Sequence, residues 1–151
     1  MNKWIELITN YHVICGLSGW FVAQILKVVV CLVKEKRIDF QLMISSGGMP
    51  SSHSSLVCAI LAAMWMDPGP GTPLFALALT VAMITMYDAA NVRRHSGEHA
   101  RLLNIIINDL FEGKELRKKE LKELIGHTPV QVIAGAVLGV AISIVIACIM
   151  M

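Results

Sequence analysis

Residues 129–151 read PVQVIAGAVLGVAISIVIACIMM, a run without a single charged side chain. At about 1.5 Å per helical residue, such a run spans the roughly 30 Å hydrocarbon core of a bilayer. Three further apolar runs precede it, at residues 12–33, 51–66 and 73–90. Hydrophobic residues make up 56% of the 151 residues and charged residues only 16%. This balance is typical of integral membrane proteins rather than soluble domains.

The four runs predict an all-α fold, a polytopic membrane helical bundle of about four spans in a single domain over residues 1–151. The run 51–66 is the shortest, about 24 Å if wholly helical, and either a full span or a re-entrant segment fits it. Residues 95–126 are charged but keep helical apolar spacing, for example at Leu102, Leu103 and Ile106. They are predicted to form a cytoplasmic amphipathic surface region.

Basic side chains predict the orientation of the bundle. Lysines and arginines follow the first run and are numerous after the third, whereas residues 67–72 hold none. The positive-inside rule therefore places both chain ends outside and every polar motif on the cytoplasmic side. We expect the cytoplasmic membrane of a bacterium. The net charge of +2 comes without a basic tail, which argues against a nucleic-acid partner.

The first polar motif is SGGMPSSHSS at residues 46–55. Gly48 permits a positive φ, Pro50 is expected to open a helix, and Ser51 and Ser52 lie in its first turn. Such a helix start is suited to an anion such as phosphate. His53 lies beside that position. A capped helix start with an incidental histidine explains the same residues equally well.

The second motif is GHTPVQ at residues 126–131. Thr128 is the expected N-cap and Pro129 the first helical residue, so His127 lies at the cytoplasmic mouth of the last span. Two histidines at two helix starts suggest a nucleophile and an acid. Taken alone, His127 is better explained as an interfacial histidine.

The third motif is YDAANVRR at residues 87–94. Asp88 closes an apolar helix, where its carboxylate faces the unfavourable end of the helix dipole and calls for a cationic partner. Arg93 and Arg94 fit a clamp on phosphate oxygens. A basic pair that stops membrane transfer is the alternative.

Lys27 is the one charged residue inside the first run. It either reaches back to the membrane surface or points into the bundle toward a phosphate. His95 and His99 share a helical face, but a metal site there is the weaker interpretation. Gly135 and Gly139 form a small-xxx-small pair that favours close helix packing.

The segments GGMPSSHSS, MYDAANVRR and GHTPVQVIAGAVLG resemble the divergent PAP2 family, a branch related to acid phosphatases and vanadium-dependent haloperoxidases. The resemblance extends from about Leu17 to Ala141. It implies that His127 attacks phosphorus and becomes phosphorylated, while His53 protonates the leaving oxygen. Phosphate would be bound without metal or other cofactor, at the residues Lys27, Lys34, Gly48, Ser51, Ser52, Arg93 and Arg94.

The chain departs from the wider superfamily at several positions. Lys34 lies where an arginine is expected, and Glu120 and Leu121 replace a serine-arginine pair. Gln131 replaces the aspartate that orients the nucleophile. Its amide can accept a hydrogen bond from the imidazole but adds no charge. Our hypothesis is that Asp88, with the two arginines that follow it, compensates for both losses.

The prediction from sequence is a membrane phosphatase that cleaves a phosphate monoester or diphosphate of a lipid through a phosphohistidine. Its partners would be that lipid and the bilayer, and self-association into a homodimer is left open. The alternative function is binding or transport of a lipid phosphate without hydrolysis, at a degenerate site. A structural membrane protein with a relic site is the third interpretation.

Overall fold

The computed structural model describes residues 2–36, 40–43, 47–110 and 127–150. Within these ranges the chain forms helices and no strand, which confirms the all-α bundle. A short 3₁₀ helix, Phe40–Met43, and a π-helical turn, Asp88–Val92, lie between the α-helices. The α-helices are α1 (Lys3–Ile8), α2 (Tyr11–Glu35), α3 (Ser52–Met66), α4 (Pro73–Tyr87), α5 (Arg93–Leu110) and α6 (Pro129–Met150).

The described residues bury small and polar side chains and expose large apolar ones. Ala23, Ala59 and Ser143 are fully buried, whereas Leu77 and Val137 are more than half exposed. This is the reverse of a soluble domain and is the distribution expected of helices surrounded by hydrocarbon. In the described part of the chain, three helical stretches are long and apolar enough to cross a membrane: Tyr11–Lys34, Pro73–Ile107 and Pro129–Met150.

α3 lies at the centre of the bundle, packed between α2 and α6. Gly19 of α2 and Gly139 of α6 lie so close to it that a Cβ on either would press against the backbone of α3. Two hydrogen bonds reinforce these contacts. Ser55 Oγ donates to Gly19 O at 2.8 Å, and Ser143 Oγ donates to Ala59 O at 2.6 Å. Small residues thus permit the backbone approach on which such packing depends.

The first residue of α3 lies deep in the bundle. Lys27 of α2 donates to Ser52, the first residue of α3, and lies eight residues before Glu35, where α2 ends. At 1.5 Å per residue, α3 therefore begins about 12 Å below the end of α2. At its other end, His12 of α2 contacts the carbonyl oxygen of Asp67. α3 is short because it starts inside the bundle.

The predicted end of the third span near Asp88 is not a break in the helix. The chain passes from α4 through the π-helical turn directly into α5, and Asn91 Nδ2 donates to Tyr87 O at 3.3 Å within that turn. α5 buries Gly97 and Asn104 and exposes the apolar face predicted from its spacing. The rest of the predicted amphipathic region, residues 111–126, lies outside the described residues.

Candidate functional site

The start of α3 is a cluster of buried serines. Ser51 is the N-cap, and its Oγ accepts from the backbone N–H of Ser54 at 3.4 Å. Ser54 Oγ lies 3.0 Å from Ser51 Oγ. Both residues, with Ser52, are at most 1% exposed. The helix begins at Ser52, two residues after the predicted start at Pro50, because Ser51 provides the N-cap and Pro50 therefore lies before it.

Lys27 points into the bundle rather than toward the membrane surface. It is 2% exposed, and its Nζ donates to Ser52 Oγ at 3.1 Å. Gly48 lies against its stem, since a Cβ there would be 3.6 Å from Cγ and Cδ of the lysine. Gly48 has a φ of +92°, a conformation that favours glycine. The predicted phosphate-binding residues Lys27, Gly48 and Ser52 therefore lie together.

His127 precedes α6 and is 1% exposed. Its Nδ1 lies 3.2 Å from Gln131 Oε1, which also accepts from the backbone N–H of Thr128 at 3.0 Å. An amide oxygen only accepts, so Nδ1 is the protonated donor in this contact. The contact fixes the orientation of the imidazole ring, and the orienting role predicted for Gln131 stays a prediction.

One backbone hydrogen bond joins the two helix starts. Ser51 N donates to Gln131 O at 3.1 Å, so Gln131 fixes His127 through its side chain and α3 through its carbonyl. His53 lies in the first turn of α3, next to Ser52, and is partly buried. The serine cluster, the lysine and both histidines therefore belong to one end of the bundle.

The remaining predicted residues lie around this cluster or beyond it. Asp88 opens the π-helical turn, is partly buried, and belongs to a turn that packs against α6. Lys34 lies two turns beyond Lys27, exposed in the last turn of α2. Arg93 and Arg94 begin α5, but their side chains, like Glu120 and Leu121, lie outside the described part of the chain.

Gln24 is a polar residue near the site that the sequence reasoning missed. It is 5% exposed, and its Nε2 donates to Met43 O at 2.8 Å, which holds the 3₁₀ helix against α2. The sequence does contain a signal for Gln24. An amide side chain inside an apolar span is unusual, and Gln24 lies three residues before Lys27 on the same face of the helix. His95 instead lies on an exposed surface of α5, 3.2 Å from Glu98.

Comparison with known proteins agrees with this architecture. The divergent PAP2 family matches residues 8–142. The chain belongs to the divergent PAP2 family. It is 37% identical to the uncharacterized membrane protein YuiD of Bacillus subtilis (strain 168), over 95% of this chain and 98% of that protein. No solved structure matches the chain. The predicted resemblance and the membrane environment are thereby confirmed.

Proposed function

We propose that this divergent PAP2 protein is a lipid-phosphate phosphatase that acts through a phosphohistidine, with its site facing the cytoplasm. The observation that carries the proposal is the contact of His127 Nδ1 with Gln131 Oε1 at 3.2 Å. With Nδ1 as the donor in this contact, the proposed nucleophile is Nε2 of the neutral imidazole. The proposed phosphate-binding groups are Lys27 of α2, Gly48 and the serines at the start of α3.

The proposed reaction has two steps. His127 Nε2 forms a bond to phosphorus while the bond from phosphorus to the lipid oxygen breaks, and His53 gives a proton to that leaving oxygen. His53 then takes a proton from water, whose oxygen attacks the phosphohistidine and releases inorganic phosphate. The sum is hydrolysis of a monoester to an alcohol, or of a diphosphate to a monophosphate. No metal is required for these steps.

The depth of the site supports a lipid as the substrate. Lys27 and Ser52 lie about 12 Å below the end of α2, within the apolar part of the bundle. An amphiphile that already lies in the bilayer can bring its phosphate to that depth, whereas a soluble phosphate ester must leave water. The cytoplasmic orientation rests on the basic residues after the first and third runs.

Asp88, with Arg93 and Arg94, is proposed to offset the missing aspartate and serine-arginine pair. The turn that carries Asp88 packs against α6, the helix that His127 precedes. The second candidate function is binding or transport without hydrolysis. It is favoured by the neutral amide of Gln131, which cannot stabilise the cationic phosphohistidine by charge as a carboxylate would.

The deciding experiment measures inorganic phosphate released by the purified full chain in liposomes from a panel of lipid monophosphates and diphosphates. His127→Ala is the test variant, and Lys3→Ala, on the exposed surface of α1, is the control for purification and insertion. Release by the wild type and the control alone, with acid-labile phosphate on the protein, supports the phosphatase. Binding of the same lipids with no release by any of the three proteins supports the carrier function and refutes hydrolysis.

A further inference from the structure

A second, wholly apolar site lies further along α3, beyond the serine cluster. A cleft of about 650 Å³ remains where α4 and α6 both pack along α3 without closing the space between them. α3 forms its floor, α4 contributes Phe75 and Leu79, and α6 contributes Val140. Trp65 on the floor is 61% exposed and Val140 39%. The cleft is therefore open sideways, on the surface that the bilayer covers.

The cleft runs away from the phosphate site toward the opposite face of the membrane. Its floor begins at Cys58, five residues after His53, and reaches Trp65, about 20 Å from Ser52 along the helix. The rings of Trp65 and Phe75 meet edge to face with centroids 5.7 Å apart. Aromatic side chains of this kind are enriched at membrane interfaces, so the cleft extends close to the far interface.

One face of α3 connects the serine cluster with the cleft. Ser54, Cys58, Leu61 and Trp65 follow one another at four, three and four residues, which places them on a single helical stripe. At the top of this stripe, Ser54 Oγ lies 3.0 Å from Ser51 Oγ. Along this stripe, hydroxyl groups at the serine cluster are followed by hydrocarbon side chains in the cleft. The order matches that of a lipid, in which a polar headgroup is followed by a hydrocarbon chain.

We propose that the cleft binds a hydrocarbon chain of the lipid whose phosphate lies at Lys27 and Ser52; this inference rests on the proposed function. Lipid tails are as apolar as the lining, so the cleft gains little from burial and selects instead by length and shape. A chain that reaches Trp65 extends about 20 Å below Ser52, beyond the roughly 15 Å of one leaflet. The substrate class is a lipid phosphate with a long chain that crosses the bilayer midplane.

The test compares hexyl phosphate with octadecyl phosphate as substrates of the full chain in lipid nanodiscs. Ala62→Phe fills the cleft, and Ala76→Phe makes the same change on the exposed side of α4. The wild type and Ala76→Phe should favour the octadecyl chain by at least about tenfold in kcat/KM. Ala62→Phe should lose that preference and keep its activity on hexyl phosphate. An unchanged preference in Ala62→Phe would overturn the proposal.

A binding measurement separates this inference from hydrolysis and needs no change in the cleft. Trp4→Phe with Trp20→Phe leaves Trp65 as the only tryptophan. An alkyl phosphate brominated near its chain end should quench Trp65 more strongly than the matching alkyl alcohol, and Lys27→Met should abolish the difference. If the quenching difference is seen without phosphate release, chain binding in the cleft is supported and the phosphatase function is refuted. If phosphate is released from substrates of both chain lengths and the two ligands quench Trp65 equally, chain binding in the cleft is refuted and the phosphatase function is supported.

Discussion

The close contact between α3 and α6 makes Gly139 sensitive to a single added methyl group. A Cβ there would press on the carbonyl oxygen of Ser55 and would lie 2.9 Å from both Ser55 C and Ala59 N. All three are backbone atoms, which no rotamer change can move. The helices would have to separate by about one ångström to restore ordinary contact distances. We therefore expect Gly139→Ala to destabilise the bundle.

The size of the effect follows from three contributions. Alanine gains about 1 kcal/mol over glycine in a helix interior. Overpacking a close contact costs about 1–3 kcal/mol, and the rigid backbone favours the upper end. Separation of the helices also weakens the hydrogen bond from Ser143 to Ala59, at about 0.6 kcal/mol in a membrane protein. The net expectation is a loss of about 1.5–2.5 kcal/mol of unfolding free energy.

Reversible unfolding in mixed micelles of detergent and sodium dodecyl sulfate measures this difference. Gly71→Ala is the matched control, because nothing lies within 4 Å of a Cβ at that position. It should unfold like the wild type, and Gly135→Ala should lose stability as Gly139→Ala does. If Gly139→Ala were as stable as the Gly71→Ala control, or more so, the close packing of α6 on α3 would be wrong.

Three further predictions concern the site. Lys27→Met should lower the affinity for a lipid phosphate about 10- to 100-fold, because a charge-assisted hydrogen bond is lost. Lys34→Met should change that affinity less than threefold. Equilibrium binding of a labelled alkyl phosphate measures both, and equal losses would contradict the assignment of Lys27 to the phosphate site. Gln131→Met should lower the rate of phosphate release about tenfold or more. Gln131→Glu should prolong the lifetime of phosphorylated His127, which rapid quench measures. An unchanged lifetime in Gln131→Glu would argue against the orienting role of Gln131. Asp88→Asn should reduce both release and binding, and full retention of both would remove Asp88 from the proposed site.

Much of the candidate site could be predicted from local sequence alone. Gly48 needed a positive φ, Ser51 and Ser52 belonged to a helix start, and His127 preceded a proline that opens the last helix, all of which are properties of a few adjacent residues. The start of α3 lies two residues after the predicted one, because Ser51 is the N-cap and Pro50 lies outside the helix. Gln24 was missed because its importance comes from Met43, nineteen residues away in the chain.

The sequence by itself determined that this is an all-α membrane protein with its polar motifs at one end, because hydrophobic run length and charge placement are sufficient to fix which segments favour hydrocarbon. Only the tertiary structure decided that Lys27 turns inward onto Ser52, that Gln131 joins His127 to the start of α3, and that α3 begins deep in the bundle. These facts depend on how closely helices approach, and that distance is set by glycines and serines that meet across sequence separations which local pattern does not encode.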